Sequence, residues 1–171
     1  MRTKMTFLAV ILAILFGSAA CDSGPKAKAR EFADRFPETI GEFDRDDDRI
    51  ELTAEAMGNT GHVTLTYEQR NAGIVYVVID TYGTETAAEV AMARRERELL
   101  LMGYEIDTDR QPRALTASVV ELPLGRVAIF ERDEMIIEVQ YLKEDSETAI
   151  DEASWEAFLD TVRLVDQALD D

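Results

Sequence analysis

The period of hydrophobic and polar positions changes several times along the chain, and each change marks a predicted element. Apolar and polar residues alternate over 50–54 and again over 63–67, which indicates two half-buried strands. Residues 74–79 are β-branched or aromatic at every position, so we predict a central strand that is covered on both faces. Turn-forming residues over 58–61 and 71–73 join these strands into a meander.

The remainder of the chain combines helical and strand periods. Helices are predicted over 86–102, which Gly103 would end, and over 152–169, where apolar positions three and four residues apart form one stripe. Thr86 has capping-box spacing from Glu89, and Asp151 is a predicted N-cap. Four further strands are predicted over 104–108, 114–122, 126–132 and 135–142.

A short helix over 28–36, with Phe32 and Phe36, is predicted before the first strand. Runs of antiparallel strands with helices between them are typical of the α+β class. We therefore predict an antiparallel sheet of about six to seven strands in meander order with two helices packed on it. The sheet and helices form one acidic domain over residues 28–171.

The N-terminal segment has the pattern of an export signal. Arg2 and Lys4 precede an apolar run over 5–16. This run is shorter than the about 20 apolar residues that a membrane-spanning helix needs. Small residues over 17–20 follow the run and lead to Cys21, which is typical of a signal peptidase site.

Residues 18–21, Ser-Ala-Ala-Cys, resemble the lipobox of bacterial prolipoproteins, with Ser18 in place of the usual leucine. The resemblance implies a signal peptide over 1–20, lipidation of Cys21 and a tether over 21–27, on the outer (periplasmic) side of a bacterial membrane. Cys21 is the only cysteine, so it has no partner for an internal disulfide. An ordinary secretory signal and an uncut N-terminal anchor are the alternatives.

The charge of the chain limits its partners. It has 35 acidic and 18 basic residues and a net charge of −17, and loss of Arg2 and Lys4 with the signal makes the mature chain two units more negative. Such a charge argues against nucleic acid and against electrostatic binding to anionic lipid surfaces. The expected partners are the membrane, through the lipid on Cys21, and a protein of the cell envelope.

No combination of residues predicts catalysis, a cofactor or a metal. His62 is the only histidine, and it follows Gly61 at a strand start, where we expect an exposed residue at the edge of a turn. Nucleophilic catalysis needs a base beside a nucleophile, and zinc needs several His or Cys ligands.

The loop over 44–55 resembles an EF-hand calcium loop in part. Arg49 stands where that loop needs glycine, and its flanks are predicted as loop and strand. A solvated acidic loop is therefore expected, with weak divalent-cation binding as the alternative. The residues at loop positions 1, 3, 5 and 12 are Asp44, Asp46, Asp48 and Glu55.

In the predicted middle helix Glu98 lies four residues after Arg94, which indicates an exposed ion pair, and Arg97 belongs to the same charged run. Binding of an anionic ligand by these arginines is the alternative. Taken together, the sequence favours a membrane-anchored envelope lipoprotein that acts as a non-enzymatic binding or assembly module. A carboxylate-dependent envelope hydrolase is the rival hypothesis, because such enzymes use acids alone, although acidic residues are too abundant here for a catalytic pair to be singled out.

Overall fold

The structure is a computed structural model that describes residues 24–46, 50–52, 59–70, 72–109 and 115–170. The predicted signal peptide, Cys21 and the first part of the tether lie outside the described residues. The same is true of Asp48, Arg49 and Glu55 in the predicted acidic loop.

Three helices and nine strands lie within the described ranges. The helices are α1 (Pro25–Asp34), α2 (Glu85–Leu101) and α3 (Glu152–Asp170). The strands are β1 (Thr39–Ile40), β2 (Phe43–Arg45), β3 (Ile50–Leu52), β4 (Asn59–Gln69), β5 (Gly73–Tyr82), β6 (Ile106–Asp109), β7 (Ala117–Leu122), β8 (Gly125–Arg132) and β9 (Met135–Lys143).

The predicted α+β class is confirmed, with an antiparallel sheet that has more strands than expected. The strand order is β1-β2-β4-β5-β9-β8-β7-β6, and β3 pairs with β4. Meander order holds within each half, and the halves meet where β5 pairs with β9. Two strands, β1 and β2, are only two and three residues long. Such short strands give too little alternation for a period to be recognised. Asp44, which the sequence places in an acidic loop, lies in β2.

One face of the sheet is covered by α1 and α3, and this layer holds the main core. Val75, Val77 and Ile79 of β5 point into it because side chains alternate along a strand. The Phe158 ring of α3 packs edge-on against Tyr67 and Phe43, with centroid distances of 5.2 and 5.7 Å. Each such aromatic pair stabilises the fold by about 1 kcal/mol beyond its buried area.

The other face of β5 is partly covered by α2, through a smaller apolar cluster. This cluster contains Ala88 and Met92 from the helix, with Ile129, Ile136 and Tyr82 from the sheet. β5 is therefore a central strand with helices on both sides of the sheet, as its sequence predicts. The helix leaves four large apolar side chains exposed, namely Val90, Leu100, Leu101 and Met102.

The helix ends confirm one predicted cap and correct another. Asp151 is the N-cap of α3, since its Oδ1 accepts from the Ala153 amide at 3.2 Å. The prediction of Thr86 for α2 is wrong, because the Thr84 Oγ1 accepts from the Ala87 amide and the helix begins at Glu85. Thr86 has a glutamate three residues later and Thr84 has Ala87 there, so the capping-box spacing favours the wrong threonine.

Helix α1 begins at Pro25, three residues before the predicted start, and its first turn lies against the end of β5. A Cβ added to Gly61 would lie 2.8 Å from the Lys26 Cα and 2.7 Å from the Thr81 Oγ1. The chain therefore enters the domain at the end of the sheet where β5 leads into α2. Within the described residues, no helix has both the length and the hydrophobicity that crossing a bilayer requires.

Candidate functional site

Charged and polar side chains lie between α2 and the sheet, where an apolar layer would be expected. They come from neighbouring positions of three strands: His62 pairs with Asp80 across β4 and β5, and Glu138 of β9 lies diagonally from Asp80. Diagonal neighbours in an antiparallel sheet are close enough to share one long side chain. We call the set formed by His62, Thr64, Asp80, Arg95 and Glu138 the polar cluster.

Arg95 of α2 binds two carboxylates of the polar cluster. Its Nη2 donates to the Asp80 Oδ2 at 2.7 Å, and its Nη1 forms an ion pair with the Glu138 Oε1. The second oxygen of Glu138 accepts from the Gln140 Nε2 at 2.7 Å. The side chains of Asp80 and Glu138 are only 4% and 9% exposed. Arg95 is therefore held at two points by acids that have little access to water.

His62 extends the polar cluster along β4. Its Nδ1 lies 2.7 Å from the Asp80 Oδ1, and its Nε2 lies 2.9 Å from the Thr64 Oγ1. In the neutral ring, this geometry assigns the proton to Nδ1, so that Asp80 accepts from His62 and Nε2 accepts from Thr64. The expectation of an exposed residue at a turn edge is wrong, because β4 begins at Asn59 and places His62 inside the strand.

The order hydroxyl, imidazole and carboxylate matches that of a nucleophilic hydrolase, but its setting differs. Thr64 is buried in the sheet, and Asp80 shares its charge with Arg95 as well as with His62. A buried hydroxyl has no approach for a substrate carbonyl, and a carboxylate bound by a guanidinium stabilises an imidazolium less well. The arrangement orients Asp80 toward Arg95.

A groove of about 530 Å³ runs along α2, and Arg95 forms part of its wall. Its apolar side consists of Ala87, Val90 and Ala91, and Val90 is 65% exposed. The remaining lining residues have hydroxyl or charged groups: Tyr82, Thr84, Thr86, Arg94, Arg95 and Glu98. We call this feature the α2 groove. It combines an apolar wall with a small number of hydrogen-bonding groups, as ligand sites commonly do.

Two of the polar groups in the α2 groove differ in exposure. Arg94 is 73% exposed, and its Nε donates to the Glu98 Oε1 at 2.9 Å on the helix surface. Tyr82 is buried, and burial raises the pKa of its hydroxyl although Arg95 partly opposes the shift. The Tyr82 hydroxyl therefore keeps its proton at neutral pH and is a fixed donor.

The opposite flank of α2 is acidic. Glu131 of β8 lies near Glu89, Glu96 and Glu85, and burial together with these three charges raises the pKa of the Glu131 carboxyl. Glu96 accepts from the Ser118 Oγ at 2.7 Å. Within the described ranges, no three His, Cys, Asp or Glu side chains are grouped as a metal site would require.

The other residues singled out in the sequence lie apart from the polar cluster. Asp44 is in β2 and its Oδ1 accepts from the Thr39 Oγ1 at 3.0 Å, while Cys21 and half of the acidic loop are outside the described residues. The exposed ion pair predicted for Arg94 is confirmed. Sequence reasoning missed Asp80 and Glu138, although a charged residue within an apolar strand is a signal for each of them.

No protein-family model and no curated protein matches this sequence. Among solved structures, the chain is similar to the extracellular domain of PknH from Mycobacterium tuberculosis, at 10% identity and a TM-score of 0.43. The alignment covers 82% of this chain and 91% of that domain. A similarity at this level does not define a function.

Proposed function

We propose that this chain is a lipid-anchored protein of the bacterial cell envelope, and that its domain binds a ligand in the α2 groove without transforming it. The lipobox-like sequence ending at Cys21 supports the anchor and the location outside the membrane. The main support for binding is the position of Arg95, which lines the α2 groove and is fixed from behind by Asp80 and Glu138.

The fixed position of Arg95 is informative because it is energetically expensive. Removing two carboxylates from water costs several kcal/mol each, and apolar residues of similar volume would join α2 to the sheet at least as well. Networks of this kind hold a functional group in one geometry before its ligand arrives. A preorganised guanidinium beside an apolar wall loses little conformational entropy when a ligand binds.

The same contacts favour binding over hydrolysis. A carboxylate-dependent hydrolase needs two acids that exchange protons with substrate or water in a cleft. Asp80 and Glu138 come close together, but Arg95 binds both and separates them from the α2 groove. Glu131 has a raised pKa, but it lies on the other flank of α2.

Lipid anchoring is tested by expressing the full-length protein and Cys21→Ala in a diderm bacterium and measuring intact mass and membrane partition. The native form should lose residues 1–20, gain acyl mass and sediment with membranes, while the variant should do none of these. A native form with an intact N-terminus and no acyl mass would contradict the anchor.

Ligand binding is tested by native mass spectrometry of the protein purified from its own membranes. The wild type and Leu101→Asp should retain a noncovalently bound small molecule that Val90→Asp lacks. Leu101 is the matched control, because it is an exposed apolar residue of α2 that does not line the α2 groove. Equal occupancy in both variants would place the ligand elsewhere.

A further inference from the structure

We infer that the ligand of the α2 groove is an anionic lipid taken from the bilayer that holds the protein. Its alkyl chain would lie against Ala87, Val90 and Ala91, and its anionic group would bind Arg94. This inference rests on the proposed function, since it assigns a ligand class to the same site.

The Tyr82 end of the α2 groove lies at the end of the domain from which the chain leads back to the predicted anchor. Gly24, the first described residue, is three positions after Cys21, and three extended residues span at most about 11 Å. The first turn of α1 is packed against Gly61 and Thr81. Tyr82, the next residue of β5, lines the α2 groove. The Tyr82 end of the α2 groove therefore points toward the proposed anchor and its bilayer, with Arg94 further along α2.

The apolar wall suits an alkyl chain. Val90 is 65% exposed, and covering it removes apolar surface from water at about 25 cal/mol per Å². Ala87 and Ala91 are half-buried and have side chains too small to fill the space beside them. A slender, flexible chain fits such a wall better than a bulky rigid ligand does.

The charges of the α2 groove allow one anion to exchange for another. The Arg94–Glu98 pair is exposed, at 73% and 51% of the side chains, so it contributes at most about 1 kcal/mol. An incoming phosphate or carboxylate can therefore replace Glu98 on Arg94 at small cost. Arg95 does not exchange in this way, because Asp80 and Glu138 are buried. It keeps the wall in place while Arg94 changes partner.

The strongly negative net charge of −17 opposes the approach of this protein to an anionic bilayer from solution. A covalent tether removes that obstacle, because it converts the encounter into an intramolecular one with a high effective concentration. The repulsion then acts on the domain surface as a whole, while the α2 groove presents Arg94 to a single lipid.

The test uses the lipidated full-length protein in phosphatidylcholine vesicles that contain a trace of photoreactive lipid. One preparation contains phosphatidylglycerol with a diazirine in its acyl chain, and the other contains phosphatidylcholine with the same chain. After illumination, the labelled segment is located by proteolysis and mass spectrometry. Flotation of the same sample reports separately whether the lipid anchor holds the protein on the vesicle.

The phosphatidylglycerol probe should label the segment 82–98, and the phosphatidylcholine probe should label it far less. Arg94→Gln should lower the phosphatidylglycerol label about tenfold, the value of one charge-assisted hydrogen-bonded contact. Val90→Asp should lower the label from both probes. Leu101→Asp, which lies outside the α2 groove, should leave both labels unchanged.

Equal labelling by the two lipids, or labelling that neither Arg94→Gln nor Val90→Asp reduces, would overturn the inference while flotation still supports the anchor. If the protein does not float, the proposed lipid anchor is contradicted. The two probes are then added to the protein as water-soluble dihexanoyl analogues. Labelling of 82–98 by the anionic analogue would then retain the lipid site without the tether. The absence of such labelling would contradict a lipid site in the α2 groove.

Discussion

Replacing Arg95 by leucine removes the guanidinium group that binds both Asp80 and Glu138 beneath α2. The side chains of these acids are 4% and 9% exposed, so neither gains much hydration in exchange. Removing one partner of a buried ion pair costs about 3–5 kcal/mol. His62 still contacts Asp80, and Gln140 still donates to Glu138, so we expect the lower end of this range.

The free energy of unfolding is measured by urea titration, with the fluorescence of Trp155 as the signal. Trp155 is the only tryptophan and is 2% exposed, so its emission reports the opening of the main core. With a slope of about 2 kcal/mol per M, a loss of about 3 kcal/mol lowers the midpoint by about 1.5 M. A large part of a typical domain stability of about 5–15 kcal/mol would be lost.

Arg94→Leu is the matched control, since it removes an arginine from the next position of the same helix. Its ion pair with Glu98 is exposed, so the free energy of unfolding should change by less than about 1 kcal/mol. A combined Arg95→Leu, Asp80→Asn, Glu138→Gln variant should recover much of the lost stability. Equal effects of Arg94→Leu and Arg95→Leu would refute the description of the polar cluster as a buried network.

Three further measurements test other parts of the structure. Since the folded-state pKa of Glu131 is raised, stability falls as pH rises through that pKa, and Glu131→Gln should add about 0.5 kcal/mol at pH 7. This gain in the urea midpoint should disappear below pH 4.5, the ordinary pKa of the carboxyl. Thr84→Ala should cost about 1 kcal/mol in urea unfolding and Thr86→Ala much less, because Thr84 caps α2; equal losses would contradict the cap. Burial raises the pKa of Tyr67 to about 12, so this residue should titrate near pH 12 by absorbance, and full titration of all five tyrosines near pH 10 would contradict this. Tyr67→Phe should cost about 1 kcal/mol, because it loses the hydrogen bond to the Pro37 oxygen at 2.8 Å.

The regular elements of this fold could be predicted from the sequence because each spans enough residues for its period to be recognised. The apolar run of β5 is long enough to define a strand covered on both faces, and the stripe of α3 is long enough to define a helix and its buried face. Strands β1 and β2 are too short for this, and their pairing depends on tertiary contact with β4.

The polar cluster could not be predicted from the sequence, for a different reason. Arg95 lies in a run of charged residues with Arg94 and Arg97, and nothing in the local sequence distinguishes the half-buried Arg95 from the two exposed arginines. Its environment is set by Asp80 and Glu138, which are distant along the chain. Only the way in which α2 crosses the sheet brings the three side chains together.

The pairing of β5 with β9 has a consequence for the order in which this protein folds. β9 is the last strand of the second meander, so the hydrogen bonds that complete β5 form only once the chain is present as far as Lys143. Closing so long a segment carries an entropic cost before any contact repays it, which makes folding slow compared with that of a helical bundle. Until β9 arrives, β5 has one open edge, and a chain truncated before Met135 would offer that edge to other molecules.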